Sequence, residues 1–90
     1  MPRPREEIYI IVFNSSNESI HLYKILKDKR YDVEIMSTPC TISAGCSRAI
    51  KVQEREIHFV IEEIRRNKVS IRGIYKKVYK DSKFYYLKIQ

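Results

Sequence analysis

Ninety residues, 43% of them hydrophobic, with two glycines and three prolines, make a single small globular domain. Two cysteines exclude the disulfide framework of a small secreted protein, and the apolar run at residues 8–13 is too short for a signal segment or a membrane span. The expected compartment is the reducing cytoplasm, with both thiols free.

A chain of this size buries about 60–65% of its unfolded surface, so the core is small and a second copy would help to cover it. The net charge of +7 is lopsided. Residues 1–64 carry nine Lys or Arg against ten Asp or Glu, whereas residues 65–90 carry nine against Asp81 alone. Such an excess suits an acidic partner, whether nucleic acid, an acidic protein face or an anionic surface. It equally suits a solvated, lysine-rich strand that keeps a sheet edge from pairing.

Residues 7–13 are β-branched and aromatic, which predicts a strand. Ile8, Ile10 and Val12 lie on one face and Tyr9, Ile11 and Phe13 on the other, so the strand is central and covered on both sides. Helices cover one side; a second subunit is expected on the other. Ser15 and Glu18 have capping-box spacing and start a helix that runs to about Lys29. Leu22, Ile25 and Leu26 form its buried stripe, Lys24, Lys27 and Asp28 face out, and His21 sits on the solvated side. Residues 33–37 alternate as a second strand that ends before Pro39. Residues 48–52 make a short third strand, and the connection is long enough for the two to pair as an antiparallel hairpin.

Gln53, Glu54, Arg55 and Glu56 open the second helix, the acids suiting its positive N-terminus. Ile57, Val60, Ile61 and Ile64 give one buried face, while Glu62, Glu63, Arg65, Arg66 and His58 stay wet. Asn67 and Lys68 end it. Residues 69–75 form a fourth strand that can continue through Val78 and Tyr79, residues 80–83 turn, and residues 84–89 form a fifth, on which Tyr85, Leu87 and Ile89 share a face. The order β-α-β-β-α-β plus one strand predicts a ferredoxin-like α+β sandwich: an antiparallel sheet, two helices on one face and an extra C-terminal strand. That fold serves carriers, enzymes, regulators and RNA binders alike, so it does not choose a function.

Chemistry concentrates in residues 38–48, which hold both cysteines, Pro39 and Gly45 between two apolar runs. Cys40 and Cys46 lie six apart with neither histidine nearby in sequence, which is not zinc-site spacing, and Gly45 and Gly73 stand alone, so no phosphate loop is present. No metal or cofactor is expected. What remains is the thiol. Gly45 permits close approach to Cys46, and backbone N–H groups together with Arg48 would stabilise a thiolate or persulfide there. Cys40 fits either a resolving thiol, which a loop of this length can bring within disulfide range, or a small buried hydrophobe. Cys46 fits a sulfur-accepting nucleophile as well as it fits a buried residue.

From Ile8 to Val78 the chain resembles the family of small bacterial domains described as putative selenium/sulfur carrier protein-like. The resemblance rests on the strand ending in Phe13, the Ser residues capping a helix, Pro39, Ile42-Ser43, Gly45-Cys46, the short strand around Ala49-Ile50-Lys51-Val52, and Gly73-Ile74-Tyr75. It implies that Cys46 carries selenium or sulfur as a perselenide or persulfide, taken from a donor protein and passed to an acceptor. Two positions depart from the family's pattern. Ser47 stands where a glycine is usual, and Cys40 stands where a basic residue is usual, which brings redox use of the second thiol into view.

The expected organisation is one domain: a flexible N-terminus over residues 1–6, a carrier-like core over residues 7–79 and a basic hairpin strand over residues 80–90. The expected role is a carrier or binding protein, not an enzyme. An alternative uses the basic end as a nucleic-acid module for RNA or tRNA. Lys76, Lys77 and Lys80 would meet phosphates there, and Tyr75, Tyr79, Phe84, Tyr85 and Tyr86 would stack bases. Arg72-Gly73 and Tyr79 match the ends of an RRM signature, but on the fourth strand, where the third would be needed.

Overall fold

The computed structural model describes residues 7–38 and 48–89, with Tyr79 described by its backbone alone. Five strands, β1 (Ile8–Phe13), β2 (Val33–Ser37), β3 (Arg48–Gln53), β4 (Ile71–Lys80) and β5 (Lys83–Lys88), and two helices, α1 (Ser16–Asp28) and α2 (Ile57–Arg66), follow the expected chain order. The strands form one sheet in the order β2-β3-β1-β4-β5, and every neighbouring pair is antiparallel. The fold class is therefore α+β.

β1 is central, as its two apolar faces require. Ile10, Ile11, Val12 and Phe13 are each 0–1% exposed. Ile11 and Phe13 join Ile50, Val52 and Ile74 from the sheet, Leu22 and Leu26 from α1 and Ile57, Val60 and Ile64 from α2 in one core, so both helices lie on the same face. Ile25 and Ile61, expected in the buried stripes, are only half-buried. The opposite face carries a smaller cluster, Ile10, Val12 and Ala49, with Ile8, Met36, Tyr75 and Tyr86 packed against it. That cluster, on the face expected to meet a second subunit, is already buried within the single chain.

The Ser15 hydroxyl accepts from the Glu18 N–H at 3.3 Å and caps α1 as its spacing predicts. The reciprocal half of the box is not made. Glu18 Oε2 instead accepts from the Ser70 N–H at 3.0 Å, tying the start of α1 to the segment before β4. Both helices end in the same motif. Arg30 and Tyr31 donate back to Lys27 and Leu26, and Lys68 and Val69 donate back to Arg65 and Ile64. This pattern satisfies the last carbonyls and needs a left-handed residue, usually glycine, after the cap. Here Arg30 (φ 66°) and Lys68 (φ 54°) take that conformation.

Three sequence expectations are corrected. Gln53 belongs to β3, and Glu54–Glu56 form a separate 3-10 turn before α2. The acids of that turn serve neighbours instead of the helix end: Glu56 accepts from the Asp32 N–H at 2.9 Å and Glu54 from the Glu7 N–H at 3.3 Å. Glu63 is not wet. It is 4% exposed and receives the Lys29 ammonium of α1 at 2.6 Å, the Arg66 guanidinium at 3.3 Å and the Asn67 amide. Finally, β4 starts at Ile71, because Val69 is used to close α2 and pack into the core.

Candidate functional site

The β2–β3 ladder ends on the pair Ser37 and Arg48. Because these two residues face each other across one rung, the chain between them leaves and re-enters the sheet at one point. Cys40, Gly45 and Cys46, the thiol candidates and their glycine, fall in residues 39–47 and lie outside the described residues. What the structure places is the frame. Thr38, the last described residue before them, is buried at 7% exposure, whereas Arg48 is exposed at the first position of β3.

Strand direction decides what else lies at this end. β1 runs antiparallel to β3 with Val12 opposite Ala49, so the C-terminal end of β1 and the start of β3 coincide. α1 begins directly after β1, so its N-terminus lies at the same end of the sheet as Arg48. Both features favour negative charge, one through the oriented N–H groups of a helix start and the other through a fixed cation. The start of α2 lies at the opposite end, after β3 has crossed the sheet. Asn14 Nδ2 donates to Ser70 Oγ at 2.8 Å and reinforces the Glu18–Ser70 bond, so the start of α1 is anchored to β4's approach. Sequence reading missed this anchor, since its partners are 52 and 56 residues apart.

The basic residues of the alternative site do not converge. Opposed residues of an antiparallel pair share a face. The register pairs Lys76 with Leu87, Val78 with Tyr85 and Lys80 with Lys83, all on the helix side of the sheet. Lys77 pairs with Tyr86 on the other side. Lys76, Lys80 and Tyr85 thus share a face, and Lys77 does not. Two of the lysines are also engaged. Lys76 donates to Glu7 Oε2 at 2.7 Å, and that hydrogen bond, aided by the glutamate's charge, raises its pKa above the usual lysine value. Lys77 holds its ammonium 4.3 Å from the centre of the Phe84 ring. Tyr86 and Tyr75 pack against the Ile10 cluster, which leaves Tyr85, at 45% exposure, as the open tyrosine of β5. The side chain of Tyr79 lies outside the described residues.

Elsewhere, Glu63 is the one buried carboxylate among the described residues. The Lys29 hydrogen bond chiefly holds its pKa below the ordinary 4.5, with the charges of Lys29 and Arg66 acting the same way against the opposing effect of burial. The cluster joins α1 to α2 and is structural. His21 and His58 are exposed, as expected. Among the described residues no group of three or more His, Cys, Asp or Glu side chains is placed to hold a metal, and no helix is long and apolar enough to cross a membrane.

A family model described as "Putative Se/S carrier protein-like" matches residues 8–76. The matched region runs from the first residue of β1 into β4 and includes both cysteines. No curated protein and no solved structure matches the chain significantly.

Proposed function

The chain belongs to the Se/S carrier protein-like family, and from that premise we propose that Cys46 is the atom-carrying residue of a sulfur or selenium carrier. The observation that carries the reading is the family match, which runs from β1 into β4 and encloses the Ser37–Arg48 rung. We read the β2-β3-β1-β4 part of the sheet as a ferredoxin-like arrangement, with β5 added at the outer edge.

The chemistry needs no outside oxidant. The Cys46 thiolate attacks the terminal sulfur of a donor persulfide. The new S–S bond forms as the donor's own S–S bond breaks, and the donor leaves as a thiolate. An acceptor thiolate repeats the exchange on the Cys46 persulfide, and the terminal sulfur moves on with no net change in oxidation state. A donor perselenide delivers selenium in the same way. Arg48 and the N-terminus of α1 lie at the end of the sheet where this exchange would take place, and both favour the anionic forms of Cys46. In this reading Cys40 is a resolving thiol. Its attack on the inner sulfur of the loaded Cys46 forms a Cys40–Cys46 disulfide and releases hydrosulfide.

Loading by a cysteine desulfurase with cysteine, read by intact mass, tests the proposal. One added sulfur, about 32 Da, is expected on the wild type and absent from Cys46→Ser. A wild type with neither the adduct nor a Cys40–Cys46 disulfide, or an equal adduct on Cys46→Ser, overturns it.

A further inference from the structure

We propose that the outer edge of β5 docks an extended segment of a partner protein, one with a short apolar middle bracketed by Asp or Glu. The proposal concerns the sheet edge farthest from β2 and does not rest on the thiol chemistry of Cys46.

β5 ends the sheet, and among the described residues no strand pairs with its outer side. The Ile89 N–H donates to the Ile74 carbonyl at 2.8 Å, which fixes the alternation of the ladder. Residues 85 and 87 then turn their backbone groups toward β4, and Tyr86 and Lys88 turn theirs to the outer edge. An incoming strand finds backbone donors and acceptors there.

The side chains select its composition. β5 reads Lys83-Phe84-Tyr85-Tyr86-Leu87-Lys88: four apolar or aromatic residues between two lysines. Phe84 is 59% exposed and Leu87 54%, an unusual outlay of apolar surface for one strand. Among the described residues no carboxylate pairs with Lys80, Lys83 or Lys88, and Asp81 is the only acid between Ile71 and Ile89. Apolar residues opposite the middle of β5 and acids opposite its two ends complement this surface on both faces.

Other occupants fit less well. Two copies joined along β5 would bring together two edges that carry Lys83 and Lys88 and no acid to offset them, whereas a strand with acidic ends neutralises both. Single-stranded RNA would need a row of stacking faces, yet on β5 Tyr85 stands alone in that role: Lys77 holds one face of the Phe84 ring, Tyr86 packs inward, and Leu87 is aliphatic. Position also favours a docking role. β5 stands three strands from β3, roughly 14 Å across the sheet, so a partner held on β5 leaves the Ser37–Arg48 end open to a second protein.

The test is a 15N-resolved NMR titration of the full chain with a synthetic peptide of about ten residues, Val-Ile-Val-Tyr between acidic pairs. Expected are saturable shifts at the Tyr86 and Lys88 amides, binding that weakens with salt, and affinity reduced about tenfold or more in the Lys83→Glu/Lys88→Glu variant. Both lysines are exposed, and an otherwise unchanged spectrum of the variant certifies its fold. Shifts that map elsewhere, or equal binding by the variant, overturn the proposal. So does an oligo-uridine that binds β5 more tightly than the peptide, or sedimentation showing a dimer that the same variant dissolves.

Discussion

β1 and β5 are both six-residue strands rich in aromatic and branched residues, yet they live in opposite surroundings. Four consecutive residues of β1 are sealed from water, while no residue of β5 is buried. The difference is position. β1 is paired on both edges and covered on both faces, whereas β5 has one neighbour among the described residues, and the helix core reaches only as far as Ile74 and Ile71 on β4. Similar strand-forming composition thus serves stability in the centre and display at the edge.

Deleting apolar atoms breaks this comparison most sharply. Ile11→Ala, at 0% exposure, should cost about 3–4 kcal/mol in urea unfolding, a large share of a small domain's stability. Leu87→Ala should cost no more than about 0.5 kcal/mol, since its side chain is mostly in water already. Equal costs would mean that β5 is part of the core.

Next in size is the Glu63 cluster, which lies wholly within the helix-covered half. Glu63→Ala should cost about 2 kcal/mol at neutral pH by removing hydrogen bonds from Lys29, Arg66 and Asn67. The pH sign follows from the lowered pKa. The contribution is present above the ordinary 4.5 and is lost as pH falls through the lower folded-state value. The stability gap between the wild type and Glu63→Gln should therefore narrow in acid below that range. A constant gap from pH 7 to pH 3 would show that Glu63 stays charged or contributes by packing alone.

The smallest effect belongs to the hairpin tip. Asp81 (φ 52°) and Ser82 (φ 63°) both take left-handed backbone in the two-residue turn between β4 and β5. Ser82→Gly should raise stability by about 1 kcal/mol or less, read as a higher denaturation midpoint. A lower midpoint would indicate that the Ser82 side chain holds the turn.

Most of the fold was legible because strand and helix periods are local. The two faces of residues 8–13 announced a central strand, and Ser15 announced the start of α1. Glu63 was misread because its principal partner, Lys29, comes from the other helix, and helical period cannot reveal a tertiary cation. The left-handed positions were hidden because Arg30, Lys68, Asp81 and Ser82 stand where glycine would have signalled them. The separation of Lys77 from Lys76 and Lys80 was within reach, since the two-residue period of a strand puts them on opposite faces. For the candidate site, the sequence supplied the thiols and the structure supplied their frame: the Ser37–Arg48 rung and the α1 start at the same end of the sheet.

The proposed function makes Cys46 the one thiol of the two that carries the atom. After loading with sulfur and alkylation, trypsin releases residues 31–48 as one peptide containing both Cys40 and Cys46. Fragment-ion mapping of that peptide should place the extra sulfur on Cys46, and Cys40→Ser, which cannot discharge the persulfide, should retain at least as much sulfur as the wild type. Sulfur found on Cys40, with Cys46→Ser loading undiminished, would contradict the assignment of the carrier role to Cys46.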